Sequence, residues 1–172
     1  GQVPGPRMHL TGPYLTGPGG ASTMAQVGTT EQARRIVNYW ADEGVTWFKA
    51  YTDISREALA AAIRAAHARG LKVTGHLCSV SFQEAVALGI DNLEHGLFTN
   101  SDYVPNRTPD HCAPNLRDSL LQVSPDGPEM QKTIREISAL TGWNVALVKV
   151  RAFRARRKLH KLFTALQRKE RS

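Results

Sequence analysis

Between Thr29 and His95 one pattern repeats three times: a helix-capping residue, a helix-forming stretch, a glycine and a short β-rich run. Thr29-Thr30-Glu31-Gln32 has capping-box spacing and opens a helix that closes at Gly44, ahead of Val45–Tyr51. Ser55 caps the second helix, whose Leu59, Ala62, Ile63 and Ala66 form one stripe and which stops at Gly70. Ser81-Phe82-Gln83-Glu84, again with capping-box spacing, opens the third, and Gly89 ends it. Each period is close to one βα unit. Short connections and right-handed crossovers then dictate an α/β fold of parallel strands alternating with outer helices.

The three β-rich runs end alike. Val45-Thr46-Trp47-Phe48-Lys49, Leu71-Lys72-Val73-Thr74-Gly75-His76 and Ile90-Asp91-Asn92-Leu93-Glu94-His95 each finish on a residue able to do chemistry. If the runs are neighbouring parallel strands, Lys49, His76 and His95 reach the sheet edge where α/β folds place their sites. Two imidazoles on adjacent strand ends can share zinc or a related ion. Lysine is the odd member, because an ammonium repels a divalent metal. Lys49 joins such a cluster as a neutral amine, or once carbamylated by CO2 into a carboxylate that can bridge two metals. Burial at the end of an apolar strand favours the neutral amine. Plainer readings stand beside this one. A histidine at a strand end is more often a structural hydrogen-bonding residue, and Lys49 can snorkel or pair with Asp53. His67, one turn before Gly70, reads as surface or packing, and His9 and His111 lie in loops without a motif.

The chain of 172 residues suffices for one domain with a real core but is too short for a complete eight-stranded α/β barrel of typical size. No run approaches the roughly 18 consecutive apolar residues that would span a bilayer. The opening Gly1–Pro6 has no signal-peptide hydrophobic region, and because it does not start with Met a leader can be missing, which leaves export open. Two cysteines, Cys78 and Cys112, are too few for a disulfide framework and form no Cys-x-x-Cys pair, which leans towards a reducing, cytoplasmic compartment. The net charge of +7 is unevenly spread: residues 1–148 hold 12 Lys/Arg and 14 Asp/Glu, whereas residues 149–172 hold 10 Lys/Arg and one acid. The chain therefore divides into a near-neutral body, 1–148, and a basic tail, 149–172.

Outside the repeats the signals are sparser. The first 28 residues, rich in Gly, Pro, Ser and Thr, read as loop with at most one short strand around Arg7–Leu10. Asn100–Pro128 has a proline-rich, loop-like composition and is long enough to be a functional excursion. Tyr14, Tyr51 and this excursion can line a pocket or simply pack. Met130–Leu140 has a helical pattern, and Asn144–Val150 reads as a further buried strand. Arg151–Arg171, with Leu159, Leu162, Phe163 and Leu166 among cations, reads as a basic amphipathic helix.

Trp47-Phe48-Lys49-Ala50-Tyr51, the run from Ala66 to His76 and Gly89-Ile90-Asp91-Asn92-Leu93-Glu94-His95-Gly96 together resemble the amidohydrolase superfamily. The similar branch is the imidazolonepropionase-related one that includes zinc-dependent Xaa-Pro dipeptidases, and Pro4-Gly5-Pro6-Arg7 is similar to its preceding segment. The resemblance implies part of a (β/α)8, TIM-type barrel holding one or two divalent metals, commonly zinc, that activate water for attack on an amide or cyclic amide C–N bond. By position Lys49 matches the family's carbamylated lysine, and His76 and His95 match its metal-binding histidines. The family's His-x-His pair occurs nowhere in this sequence, its last-strand aspartate has no counterpart, and the match fades after about Val148.

The leading expectation is thus a fragment of a metal-dependent C–N hydrolase, with a small amide or dipeptide-like substrate in the parent enzyme. Alone it would be inactive or weakly active, with self-association covering its open sheet edges. A non-catalytic interaction module that keeps the sheet is one alternative. Another is a protein whose basic tail binds nucleic acid or an anionic membrane, although no aromatic interleaving or nucleic-acid motif accompanies the charge, which disfavours nucleic acid. Retention on immobilised DNA at rising salt, with and without residues 149–172, tests that alternative; equal retention removes it.

Overall fold

The computed structural model describes residues 8–95, 99–124, 126–142 and 144–146. Its elements in chain order are β1 (Leu15–Thr16), β2 (Ala25–Gln26), α1 (Thr30–Asp42), β3 (Trp47–Ala50), α2 (Arg56–Ala68), β4 (Lys72–Gly75), α3 (Phe82–Ala87), β5 (Asn92–Leu93), α4 (Leu116–Gln122) and α5 (Pro128–Thr141). The strands form one parallel sheet in the order β2-β1-β3-β4-β5. The alternation of parallel strands and helices expected from the repeats is present.

The helix signals work through the atoms expected of them. Thr29 accepts from Gln32 N, while the Gln32 side chain accepts from Gly28 N, one residue ahead of the reciprocal capping-box bond. Ser55 accepts from Ala58 N, and Ser81 with Glu84 makes both bonds of the box. At the far ends Gly44, Gly70 and Gly89 have φ of 87°, 68° and 90°, where a Cβ would strain the backbone.

The sheet's two faces differ. Along β3, Phe48 and Ala50 are fully buried while Trp47 and Lys49 are only partly so, the period-two pattern of a strand covered on one side. The helical side is the core: Phe48 and Val73 meet Leu59, Ala62, Ile63 and Ala66 of α2, and α1 packs beside α2. The stripe expected from the sequence is this buried one. The opposite face carries Trp47, Lys49, Lys72, Thr74 and Asn92, with Lys72 Nζ 5.7 Å from the Trp47 ring.

Other expectations change. The short strand anticipated around Arg7–Leu10 is not an element in its described residues; the strands fall at β1 and β2, and the N-terminal pairing is a single bridge from Thr11 to Trp47. Two-residue strands carry no periodicity, which is why loop composition hid them. The Asn100–Pro128 excursion contains a 3-10 turn at Ser101–Tyr103 and the helix α4. Cys78 and Cys112 form a disulfide, with Cα atoms 4.9 Å apart, so cysteine usage gives no lean towards a reducing compartment. The count of two was a poor guide because proximity comes from the fold. Of the anticipated strand Asn144–Val150, Val145 and Ala146 are helical and residues 147–150 lie outside the described part. The basic tail, 149–172, lies there too. Among the described residues no helix is long and apolar enough to cross a membrane.

Phe48 is 0% exposed at the centre of the sheet. Phe48→Ala should lower unfolding free energy by about 3–5 kcal/mol, as measured by urea denaturation, because it removes buried surface and leaves a cavity.

Candidate functional site

Parallel register brings the three strand-end residues together. Phe48 aligns with Val73, Lys49 with Thr74 and Ala50 with Gly75, and Thr74 in turn aligns with Asn92. His76 follows β4 directly and its backbone N–H donates to the Ala50 carbonyl at 3.0 Å, so its ring sits beyond the end of β3. His95 lies two residues past β5, and its ring centroid is 4.6 Å from that of His76 in an edge-to-face contact.

Lys49 meets neither imidazole as its principal partner. Its Nζ is 2.6 Å from Glu94 Oε2, in a pair whose side chains are only 15% and 21% exposed, and the same carboxylate oxygen lies 3.6 Å from His95 Nε2. Thr74 Oγ1 donates to the other oxygen, Glu94 Oε1, at 3.2 Å and accepts from Asn92 Nδ2 at 2.9 Å. Asp53, the partner in one of the plainer readings of Lys49, accepts from Thr52 Oγ1 at 2.6 Å. Glu94 was within reach of sequence reasoning, since it is the acid beside the histidine in Leu93-Glu94-His95. Strand alternation puts Glu94, two residues after Asn92, on the face that carries Lys49 and Thr74, and turns the next residue, His95, to the other face. His95 escapes that alternation by leaving the strand with φ 60°, a left-handed conformation unusual for a residue with a side chain.

Two tyrosines wall the cluster. The Tyr14 ring lies 4.6 Å from Lys49 Nζ, Tyr51 packs 4.9 Å from His76, and the tyrosine rings stand 6.0 Å apart. Their position is fixed locally: Tyr51 N donates to the Leu15 carbonyl at 2.8 Å, tying the end of β3 to β1. Gly17 follows β1 where the chain touches the β3–α2 connection, and a methyl group there would overlap the Asp53 carbonyl oxygen. The remaining described histidines are apart from the site. His67 bonds Asp91 Oδ2 at 2.9 Å, His9 lies 3.3 Å from Thr46 Oγ1, and His111 lines a separate cleft.

Opposing influences meet at Lys49. Burial alone lowers its pKa, and this is the largest single influence, but the hydrogen bond and charge of Glu94, with help from Tyr14 and Tyr51, carry it above the ordinary value. That balance favours the charged form that pairs with Glu94. Burial, then the neighbouring His95 and Lys49, push His76 below the ordinary histidine value, which favours the neutral ring that metals bind. A divalent ion is thus only partly accommodated. Two imidazoles suit such an ion, but among the described residues no group of three His, Cys, Asp or Glu side chains could hold one.

A cleft of about 270 Å³ opens on the same side, lined by residues that include Val27, Asp53, Ser55, Asp110, His111 and Cys112. The excursion after β5 forms one wall of it. Asp110 accepts from Arg56 N at 2.7 Å at the start of α2 and also pairs with the Arg56 guanidinium at 3.0 Å. Arg107 reaches Glu84 at 2.7 Å and the Ser79 carbonyl at 2.9 Å.

Neither the family models nor the curated proteins include a match to this chain. Among solved structures it is similar to a "putative prolidase" from Bifidobacterium longum, with 26% identity and a TM-score of 0.45. That similarity covers 55% of this chain and 27% of the other, so the chain spans well under half of the protein it matches.

Arg56 hydrogen bonding holds the Asp110 carboxyl below its ordinary value of 3.8. Its stabilisation is present above that value and is lost as pH falls through the lowered folded value. Asp110→Asn should therefore cost about 1 kcal/mol at pH 7, discounted for partial exposure, and the urea-midpoint difference from wild type should shrink towards zero in acid.

Proposed function

We propose that the β3-β4-β5 edge is the central part of a metal-dependent hydrolase site acting on C–N bonds, and that the sheet is a section of a (β/α)8-type barrel. One observation carries the reading: His76 and His95, from consecutive parallel strands, stand ring against ring at the C-terminal edge, 4.6 Å apart, beside a Lys49–Glu94 pair. Packed structural histidines need no such convergence with a half-buried ion pair. The sequence resemblance to the amidohydrolase superfamily points in the same direction.

In this reading His76 and His95 hold a divalent ion, zinc by the preference of imidazole, and Lys49 is the family's third position. When bound, such an ion polarises an amide carbonyl and lowers the pKa of a water nucleophile. The chain's own residues do the rest. Burial keeps His76 available as a neutral donor, the left-handed turn at His95 returns its ring to the edge, and Tyr14 and Tyr51 form an aromatic wall suited to a small amide or dipeptide-like substrate. The sequence has no His-x-His pair, so two of the family's usual ligands have no counterpart in these 172 residues. The chain as it stands is accordingly expected to bind metal weakly and to hydrolyse slowly or not at all, and the whole enzyme to do both.

Zinc titrated into the full chain should bind, and His76→Ala or His95→Ala should each weaken binding by about tenfold or more, as measured by calorimetry. Zinc binding indifferent to both substitutions removes the reading.

A further inference from the structure

The bridge between Cys78 and Cys112 joins two unlike parts of the molecule. On one side the loop between β4 and α3 is built into the body. Cys78 is 1% exposed between fully buried neighbours, and Ser79 donates from its backbone N–H to the Thr52 carbonyl at 2.8 Å and from its hydroxyl to the Ile54 carbonyl at 2.6 Å. On the other side Cys112 is exposed and belongs to an arm, residues 105–115, that forms no helix or strand and adds no residue to the hydrophobic cluster. We propose that this bridge is a redox latch: reduction by a dithiol frees the arm and opens the cleft it walls, while the sheet and its helices stay folded.

The arm is seated by polar contacts, of Arg107 with Glu84 and the Ser79 carbonyl and of Asp110 with Arg56. Partly exposed ion pairs contribute little each, so with the bridge broken they hold the arm only part of the time. Asn106 and Asp110 have φ of 53° and 62°, left-handed conformations that residues with a side chain seldom keep without restraint. Asp110, His111 and Cys112 line the cleft of about 270 Å³ from the arm, and its other lining residues come from the body, so release of the arm removes one wall. The chemistry is thiol–disulfide exchange, and access directs it to the exposed Cys112. A thiolate of the dithiol attacks the Cys112 sulfur, the S–S bond breaks, and Cys78 leaves as a thiolate that takes up a proton. The second thiol then displaces Cys112 from the mixed disulfide, so two cysteine thiols form as the reagent becomes a cyclic disulfide. Exposed bridges are the labile ones, and a segment without apolar anchorage can open locally while the core stays closed.

Nitrogen-15 relaxation on the full chain, before and after dithiothreitol, tests the latch, with alkylation and mass measurement counting the thiols. Untreated protein should take up no alkyl group, and reduction without denaturant should make both cysteines reactive. Order parameters across residues 105–115 should then fall from about 0.85 to below about 0.6, while those of α2, β3 and β4 stay near about 0.85. Rising salt should loosen the arm in the reduced chain and leave it unmoved in the bridged one, because only the former depends on ion pairs. Cys112→Ser, at an exposed position, should show the reduced pattern without reductant. Three results overturn the inference: a bridge absent from untreated protein or yielding only in denaturant, an arm whose order survives reduction, and a loss of order in α2, β3 and β4 along with the arm. Should Cys112→Ser not fold, treated and untreated wild type decide by the same criteria. None of these outcomes depends on what the sheet edge binds.

Discussion

The register between β3, β4 and β5 is the constraint from which the rest of this molecule follows. A slip of one residue would carry Phe48 from the core to the open face and Lys49 into the apolar contact with α2. The price of that exchange is an unpaired buried ammonium and a lost aromatic core residue, so register and site are specified together. The same alignment sets Thr74 between Lys49 and Asn92 and lets one carboxylate past the end of β5 reach across to β3.

Much of this arrangement was legible in the sequence because it is encoded locally. Capping residues and glycines each act within a turn of the chain, so Thr29, Ser55 and Ser81 with Gly44, Gly70 and Gly89 marked the three helices, and the stripe along α2 announced its buried face. Lys49, His76 and His95 could be paired because strand ends are local features and parallel order follows from connection rules. The partners of those residues are another matter. Glu94 meets Lys49 only through register, Cys78 meets Cys112 across 34 residues, and β1 and β2 are too short to show a period. Helix α4 sits within a proline-rich stretch whose composition spoke for loop.

The open face of the sheet has the character of a working surface. Parallel sheets usually bury both sides, and their strands then read as continuous apolar runs. Here Lys49, Lys72, Thr74 and Asn92 interrupt those runs on one side, while Phe48, Ala50 and Val73 keep the other side apolar. The polar side stays ordered by pairing internally: Lys72 on Trp47, Asn92 on Thr74, Thr74 on Glu94 and Glu94 on Lys49. A surface so committed to mutual pairing tolerates water, and it asks any incoming group to displace a specific partner.

The bridge between Cys78 and Cys112 makes the intervening stretch a covalent ring that contains α3, β5, Glu94 and His95. A backbone cut anywhere inside that ring separates no mass while the bridge is intact, so the two halves of the edge stay attached through the sulfurs. A cut between Asn100 and His111 would consequently be invisible to sizing under non-reducing conditions and would appear as two pieces only after reduction, whereas a cut beyond Cys112 would not be masked.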